Sequence, residues 1–296
     1  MRIRWFASLA LLFVASAGAT PTRIVSINAC LDPVLLELVP RERIAALSRY
    51  SSDPWRSAIA DVAKTLPATR ESAEEIVLLK PDLVLASRHT AQLTRNALQR
   101  VGVPLELFEI PRSVEASLAQ VQRLAELVHE PESGRELVAR IKQTIERASP
   151  PAGARELSAV IYQAGGLSAG KDTITDELMR IAGLSNVAAR VQLKGYKVLP
   201  LESLLGAAPD IVLLGDTFPG GSTRAEKMVR HRALRALQPY SSFGSFPARY
   251  MNCAGPVMIA ALETLVTARE QAMQRAEAQS ASAPRPPAST ITGSTP

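Results

Sequence analysis

The chain has 296 residues, with 34 Lys and Arg, 28 Asp and Glu, 3 His, 2 Cys and 47% hydrophobic residues. That length supplies a large buried core, so small stapled scaffolds are excluded, and 21% charged residues exclude general disorder. The formal charge of +6 comes without any dense Lys/Arg run, so nucleic-acid recognition is not supported.

In chain order, Arg2 and Arg4, the apolar run Trp5–Ala15 and the small residues Ala17-Gly18-Ala19 read as a secretory signal peptide over 1–19. Its removal takes away two Arg and no acids, which leaves a charge of +4. The apolar run is shorter than the roughly 20 residues that a bilayer span needs, and no later run is longer. Cys30, preceded by Ile27-Asn28-Ala29, has the wrong neighbours for a lipid-anchoring cysteine. The mature chain is therefore expected to be exported, soluble and not membrane-anchored.

Residues 20–111 alternate short β-rich runs with helical patterns, the mark of an α/β lobe. Strands are expected at Arg23–Ile27, Ile44–Leu47, Leu83–Ala86 and Leu105–Phe108, and helices at Asp32–Leu38, Ser72–Leu79 and Ala91–Val101. Ser72 and Glu75 stand at capping-box spacing. Residues 112–150 form a helical connection, Ser113–Val128 and Glu132–Ala148, broken at His129-Glu130-Pro131. Leu137, Ile141 and Ile145 make one apolar stripe on the second helix, whose length of about 25 Å is enough to brace two lobes.

After Pro150-Pro151 the alternation resumes over 151–274. It brings strands Ala159–Gln163 and Ile211–Leu214, with helices Ile174–Ala182, Leu201–Leu205 and Pro256–Ala272. Gly165 to Asp172 nearly spells a phosphate-cradling loop. Asp172, however, stands where a Ser or Thr would hold Mg²⁺, and Thr173 with Asp176 reads as a helix cap. Residues 275–296 are polar and Pro-rich, and are expected to be disordered.

One pattern recurs. Glu74 precedes Pro81-Asp82-Leu83-Val84-Leu85 by seven residues, and Glu202 precedes Pro209-Asp210-Ile211-Val212-Leu213 by the same seven. Pro-Asp is a common helix-to-strand turn, but the matching Glu positions favour two halves of one design.

With that repeat, the chain resembles the periplasmic substrate-binding proteins of ABC importers, in the vitamin B12 and iron–siderophore class. The likeness runs over residues 22–270. It is carried by RIVSINACLDPVLLEL, EEIVLLKPDLVLAS, GLSAGKDTITDELMRIAGLSNVA, PLESLLGAAPDIVLLGD and CAGPVMIAALETL. The resemblance implies two α/β lobes, each a mostly parallel sheet flanked by helices, joined by one long rigid helix with the ligand cleft between them. It implies a monomer that captures a metal chelate and delivers it to an ABC permease. Glu74 and Glu202 look like the docking acids of the family, although the positive end of a helix also favours a first-turn Glu.

Cys30 and Cys253 fall at the cleft in the layout of the family, one on each lobe. They could form a cross-cleft disulfide, a thiol pair touching the ligand, or two unrelated buried thiols. Trp55, Tyr162, Tyr196 and Phe218 are candidate aromatic contacts for a large planar cargo, and Arg88 and Arg249 are candidate partners for an acidic one. Tyr196 matches an aromatic of the vitamin B12 binders, whereas Ala68 stands where those proteins carry another. No cofactor or resident metal is expected, because a metal site would need more than the Asp32 and Asn252 that accompany the cysteines. Capture rather than catalysis is expected; the alternative is a cleft enzyme with a cysteine nucleophile.

Overall fold

The protein is described from a computed structural model, which covers residues 19–216 and 223–282. The first lobe runs β1 (Ile24–Ser26), α1 (Asp32–Leu38), β2 (Ile44–Ser48), α2 (Ala60–Ala63), β3 (Ala68–Thr69), α3 (Ala73–Leu78), β4 (Leu83–Ser87), α4 (Gln92–Arg100) and β5 (Leu105–Phe108). Its five strands lie in the order β3-β2-β1-β4-β5, all parallel. Two packed helices follow, α5 (Val114–Leu127) and α6 (Pro131–Ala148).

The second lobe begins with β6 (Leu157–Tyr162), β7 (Leu167–Ala169), α7 (Ile174–Ile181), β8 (Leu184–Asn186), α8 (Val187–Arg190) and β9 (Tyr196–Val198). It continues through α9 (Leu201–Ala207), β10 (Ile211–Leu214), α10 (Arg224–Val229), β11 (Ser242–Ser245), α11 (Arg249–Asn252) and α12 (Val257–Ser282). Its main sheet is parallel in the order β11-β10-β6-β8, and β7 and β9 form a separate antiparallel pair.

Strand alternation divides the interior. Ile24, Leu83 and Leu85 of the first sheet, and Ala159, Ile161 and Leu213 of the second, point into one continuous core that also holds α5, α6 and α12. Val25, Val84 and Ala86 face a separate cluster behind the first sheet, and Val160, Tyr162 and Val212 face another behind the second. The bracing helix α6 is thus packed along its length. Leu137 and Ile141 of its stripe are fully buried, each contributing roughly 1.5–3 kcal/mol. A Cβ at Gly134 would collide with the Ala125 side chain, so glycine there lets α6 lie close on α5.

The Pro-Asp repeat has a structural use in both lobes. The Asp82 carboxylate accepts from the backbone of Thr22 (2.7 Å) and Arg23 (2.9 Å), which ties the entry of β4 to β1. Asp210 accepts from the backbone of Ser158 (2.7 Å) and its hydroxyl (2.6 Å), which ties β10 to β6. Burial works against the charge of Asp82, but the amide donors outweigh it and hold the carboxyl below its usual range.

The structure corrects the expected end of the last helix. Rather than giving way to disorder at 275, α12 runs to Ser282, and the Arg275 guanidinium donates to the carbonyls of Ser241 (2.7 Å) and Gln238 (2.5 Å). Those bonds tie the extra turns to the lobe, which composition alone does not reveal. Residues 1–18, all but the last of the expected signal peptide, and 283–296 lie outside the described residues. Among the described residues no helix is long and apolar enough to cross a membrane.

Candidate functional site

Loops at the carboxyl ends of β1, β4 and β5 face the second lobe across a cleft of about 630 Å³. Such strand ends are the usual ligand side of parallel sheets. Asn28, Cys30, Ser87, His89 and residues 109–112 line it from the first lobe; residues 172–174, 194–196 and 251–254 line it from the second. A smaller hollow of about 380 Å³ lies between β11 and α12, away from the lobe junction.

Cys30 and Cys253 are joined as a disulfide, with Cα atoms 5.0 Å apart and a sequence separation of 223. Of the three arrangements open from sequence, the covalent one is present, and it crosses the cleft wall. The Asn28 side chain accepts from the Cys30 amide (3.0 Å) and turns the chain after β1 toward its partner. Asn252 donates to the Arg56 carbonyl (3.1 Å), and the Gly255 amide donates to the Ser117 hydroxyl (2.9 Å). Gly255 has φ +65°, and a Cβ there would sit 2.8 Å from Val34, so this junction requires glycine.

Of the other expected contacts, Tyr196 lines the cleft, 42% exposed, with its hydroxyl 3.0 Å from that of Thr175. Four are corrected. Tyr162 is fully buried behind the second sheet, because strand alternation places it on the face of Val160. Arg88 pairs with Glu109 at 2.5 Å, and Arg249 pairs with Asp216 at 3.1 Å; neither lines the cleft. Trp55 also lies off the lining, half-buried in a loop where its amide donates to Asp53 (2.9 Å). Phe218 lies outside the described residues.

Sequence reasoning passed over Arg112 and Lys194, both in the lining. The turn before a helix N-cap (Ser113) and the loop before β9 were readable. What was not readable is that neighbouring carboxylates neutralise Arg88 and Arg249 but not these two. Among the described residues, no group of three or more His, Cys, Asp or Glu could hold a metal ion. Glu74 and Glu202 stand exposed in the first turns of α3 and α9, without a hydrogen bond or ion pair among the described residues. Glu75, by contrast, accepts from the Arg70 amide (2.8 Å) and the Thr69 hydroxyl (3.1 Å).

Comparison with known proteins gives the cleft a context. Residues 24–239 match the family described as periplasmic binding protein. The chain belongs to that family. A cobalamin-binding protein of Halobacterium salinarum is 22% identical over 199 residues, 66% of this chain and 54% of the relative. The chain thus spans about half the length of that curated relative. Among solved structures, the periplasmic heme-binding protein RhuT from Roseiflexus sp. RS-1 aligns with a TM-score of 0.69 at 24% identity. That alignment covers 84% of this chain and 98% of the other. The periplasmic vitamin B12 binding protein BtuF of Vibrio cholerae aligns at 0.64 and 17% identity, over 86% and 99%. These likenesses show the shared two-lobed fold.

Beneath the Cys30 loop lies a buried acid. Asp32 accepts from the Ser48 amide (3.0 Å) and the Ser51 hydroxyl (2.5 Å) through Oδ2, while its Oδ1 has no partner. Burial pushes its pKa up to about 7; the Ser26 and Ser51 hydroxyls and the Ser48 amide oppose the rise, and the negative Glu71 adds to it. The folded protein holds this proton more tightly than the unfolded chain does. The resulting stability is therefore fully present below the ordinary carboxyl pKa, near 4, and is lost as pH rises through about 7. The slope within that window is roughly 1.4 kcal/mol per pH unit at most. Asp32→Asn is expected to flatten the fall in melting temperature between pH 5 and pH 8, followed by calorimetry. Equal slopes for variant and parent would show that Asp32 is not the titrating group.

Proposed function

We propose that this protein captures a metal chelate, of the iron–siderophore or corrinoid and related tetrapyrrole kind, between its lobes and delivers it to an ABC import permease in the periplasm. The cleft carries the reading: its volume of about 630 Å³ lies within the roughly 300–1,000 Å³ usual for small-molecule sites. The names of the relatives, which include cobalamin, heme and Fe³⁺-hydroxamate systems, agree with a cargo of this size. Signal-peptide removal would follow export, and the protein would act as a monomer. The exposed Glu74 and Glu202, one on each lobe, would meet the permease, where separated rim charges steer encounter and fix register.

The alternative of a cysteine nucleophile needs a free thiolate, and pairing of Cys30 with Cys253 favours capture. Mature protein purified from its own periplasm and weighed by native mass spectrometry is expected to carry a chelate of defined mass. Titration of the stripped protein with that chelate should give saturable, product-free quenching of Trp55. Turnover of the compound, or no bound mass and no quenching, would overturn the reading.

A further inference from the structure

We infer that the cleft is built for a flat, largely apolar chelate bearing two separated carboxylates, one held by Arg112 and the other by Lys194; this rests on the capture function above. The sorting of cations around the cleft carries the inference. Arg88 and Arg249, near its edges, are neutralised by Glu109 at 2.5 Å and Asp216 at 3.1 Å. Arg112 and Lys194 line the cleft itself and have neither a hydrogen bond nor an ion pair among the described residues. Of the two lining carboxylates, Glu109 belongs to Arg88. The other, Asp172, has no ion-pair partner among the described residues and faces two cations, Arg112 and Lys194. With Glu109 taken by Arg88, the unpaired charges of the lining sum to one positive.

The two cations come from different lobes on fixed backbone. Arg112 immediately precedes Ser113, whose hydroxyl caps α5 by accepting from the Ala116 amide (3.1 Å). Lys194 sits in a loop pinned by Lys171 N to Leu193 O (2.8 Å), Gly195 N to Lys171 O (2.8 Å) and Gly170 N to Gly195 O (2.9 Å). The same lining includes Ile110, Pro111, Ile174, Met251 and Tyr196, apolar and aromatic surface that suits an apolar plate. The planar guanidinium offers a carboxylate two parallel donors, and the ammonium a compact charge. A ligand with two acidic arms satisfies both lobes at once and so reports closure. A neutral ligand leaves both cations to solvent and gains nothing from them.

The experiment uses the purified mature protein and three probes: iron(III) protoporphyrin IX, its dimethyl ester, and cyanocobalamin, each followed by its visible absorption. The diacid is expected to bind about tenfold or more tightly than the diester, the scale of one or two charge-assisted bonds. Arg112→Gln and Lys194→Gln should each weaken the diacid about fivefold to tenfold and leave the diester unchanged. Equal affinity for diacid and diester, or equal losses for both in the variants, would overturn the inference. Binding of cyanocobalamin with no binding of either porphyrin would also overturn it while leaving capture intact. If no probe binds and the protein from its own periplasm carries no chelate, capture itself fails and the inference falls with it.

Discussion

Replacing Cys30 and Cys253 together by Ser is expected to lower the melting temperature by about 10 °C, from a loss of roughly 2–4 kcal/mol. The bond joins residues 223 apart, so its loop encloses most of the chain. Cross-linking a loop that long removes much of the freedom of the unfolded ensemble. In the folded state the same bond ties the loop after β1 to the start of α12, beside the Asn252–Arg56 and Gly255–Ser117 hydrogen bonds. These two polar contacts remain in the variant, so the lobes should stay docked and the protein should fold. Calorimetry of the parent with and without a dithiol reductant, beside the double variant, is the measurement. Reduced parent and variant should melt together, below the oxidised parent. If all three melt at one temperature, the sulfurs do not staple the lobes.

The cysteines also mark where sequence reading ends. Two Cys in an exported chain leave pairing open, because nothing local records that residues 30 and 253 meet. What is local was legible. Ser72 and Thr173 do cap their helices, and the central strands β1, β4, β6 and β10 fall on the apolar runs that predict them. The strands β3 (Ala68–Thr69), β8 (Leu184–Asn186) and β11 (Ser242–Ser245) carry no apolar run, unlike β1 and β10 of similar length, and exist because a neighbour supplies hydrogen bonds. Tyr162 is a different case. The alternation of β6 already places it with Val160, on the face away from the main core, and that signal was available. Ion pairing was not: Asp216 is far in sequence from Arg249, and so is Glu109 from Arg88, so which cations stay free is a property of the fold.

The double charge reversal Glu74→Lys with Glu202→Lys is expected to abolish chelate uptake while leaving chelate affinity within about twofold of the parent. Neither carboxylate lines the cleft, and neither makes a hydrogen bond or ion pair among the described residues, so their exchange breaks none. The local cost is small: an acid at a helix N-terminus is worth about 0.3–1 kcal/mol. Each reversal gives up that favour and adds a cation near the positive end of α3 or α9. The effect on docking should be far larger, because a permease pocket that attracts the parent carboxylate repels the variant ammonium, and like charges brought together cost several kcal/mol. A single reversal should leave partial uptake, since one lobe still engages, and the double variant almost none. Uptake in cells and chelate-dependent ATPase activity of the reconstituted permease provide the readouts, with affinity measured in parallel on the free protein. Matching loss of affinity and uptake would show that the pair supports the fold rather than the encounter. Unimpaired uptake in the double variant would remove Glu74 and Glu202 from the docking surface altogether.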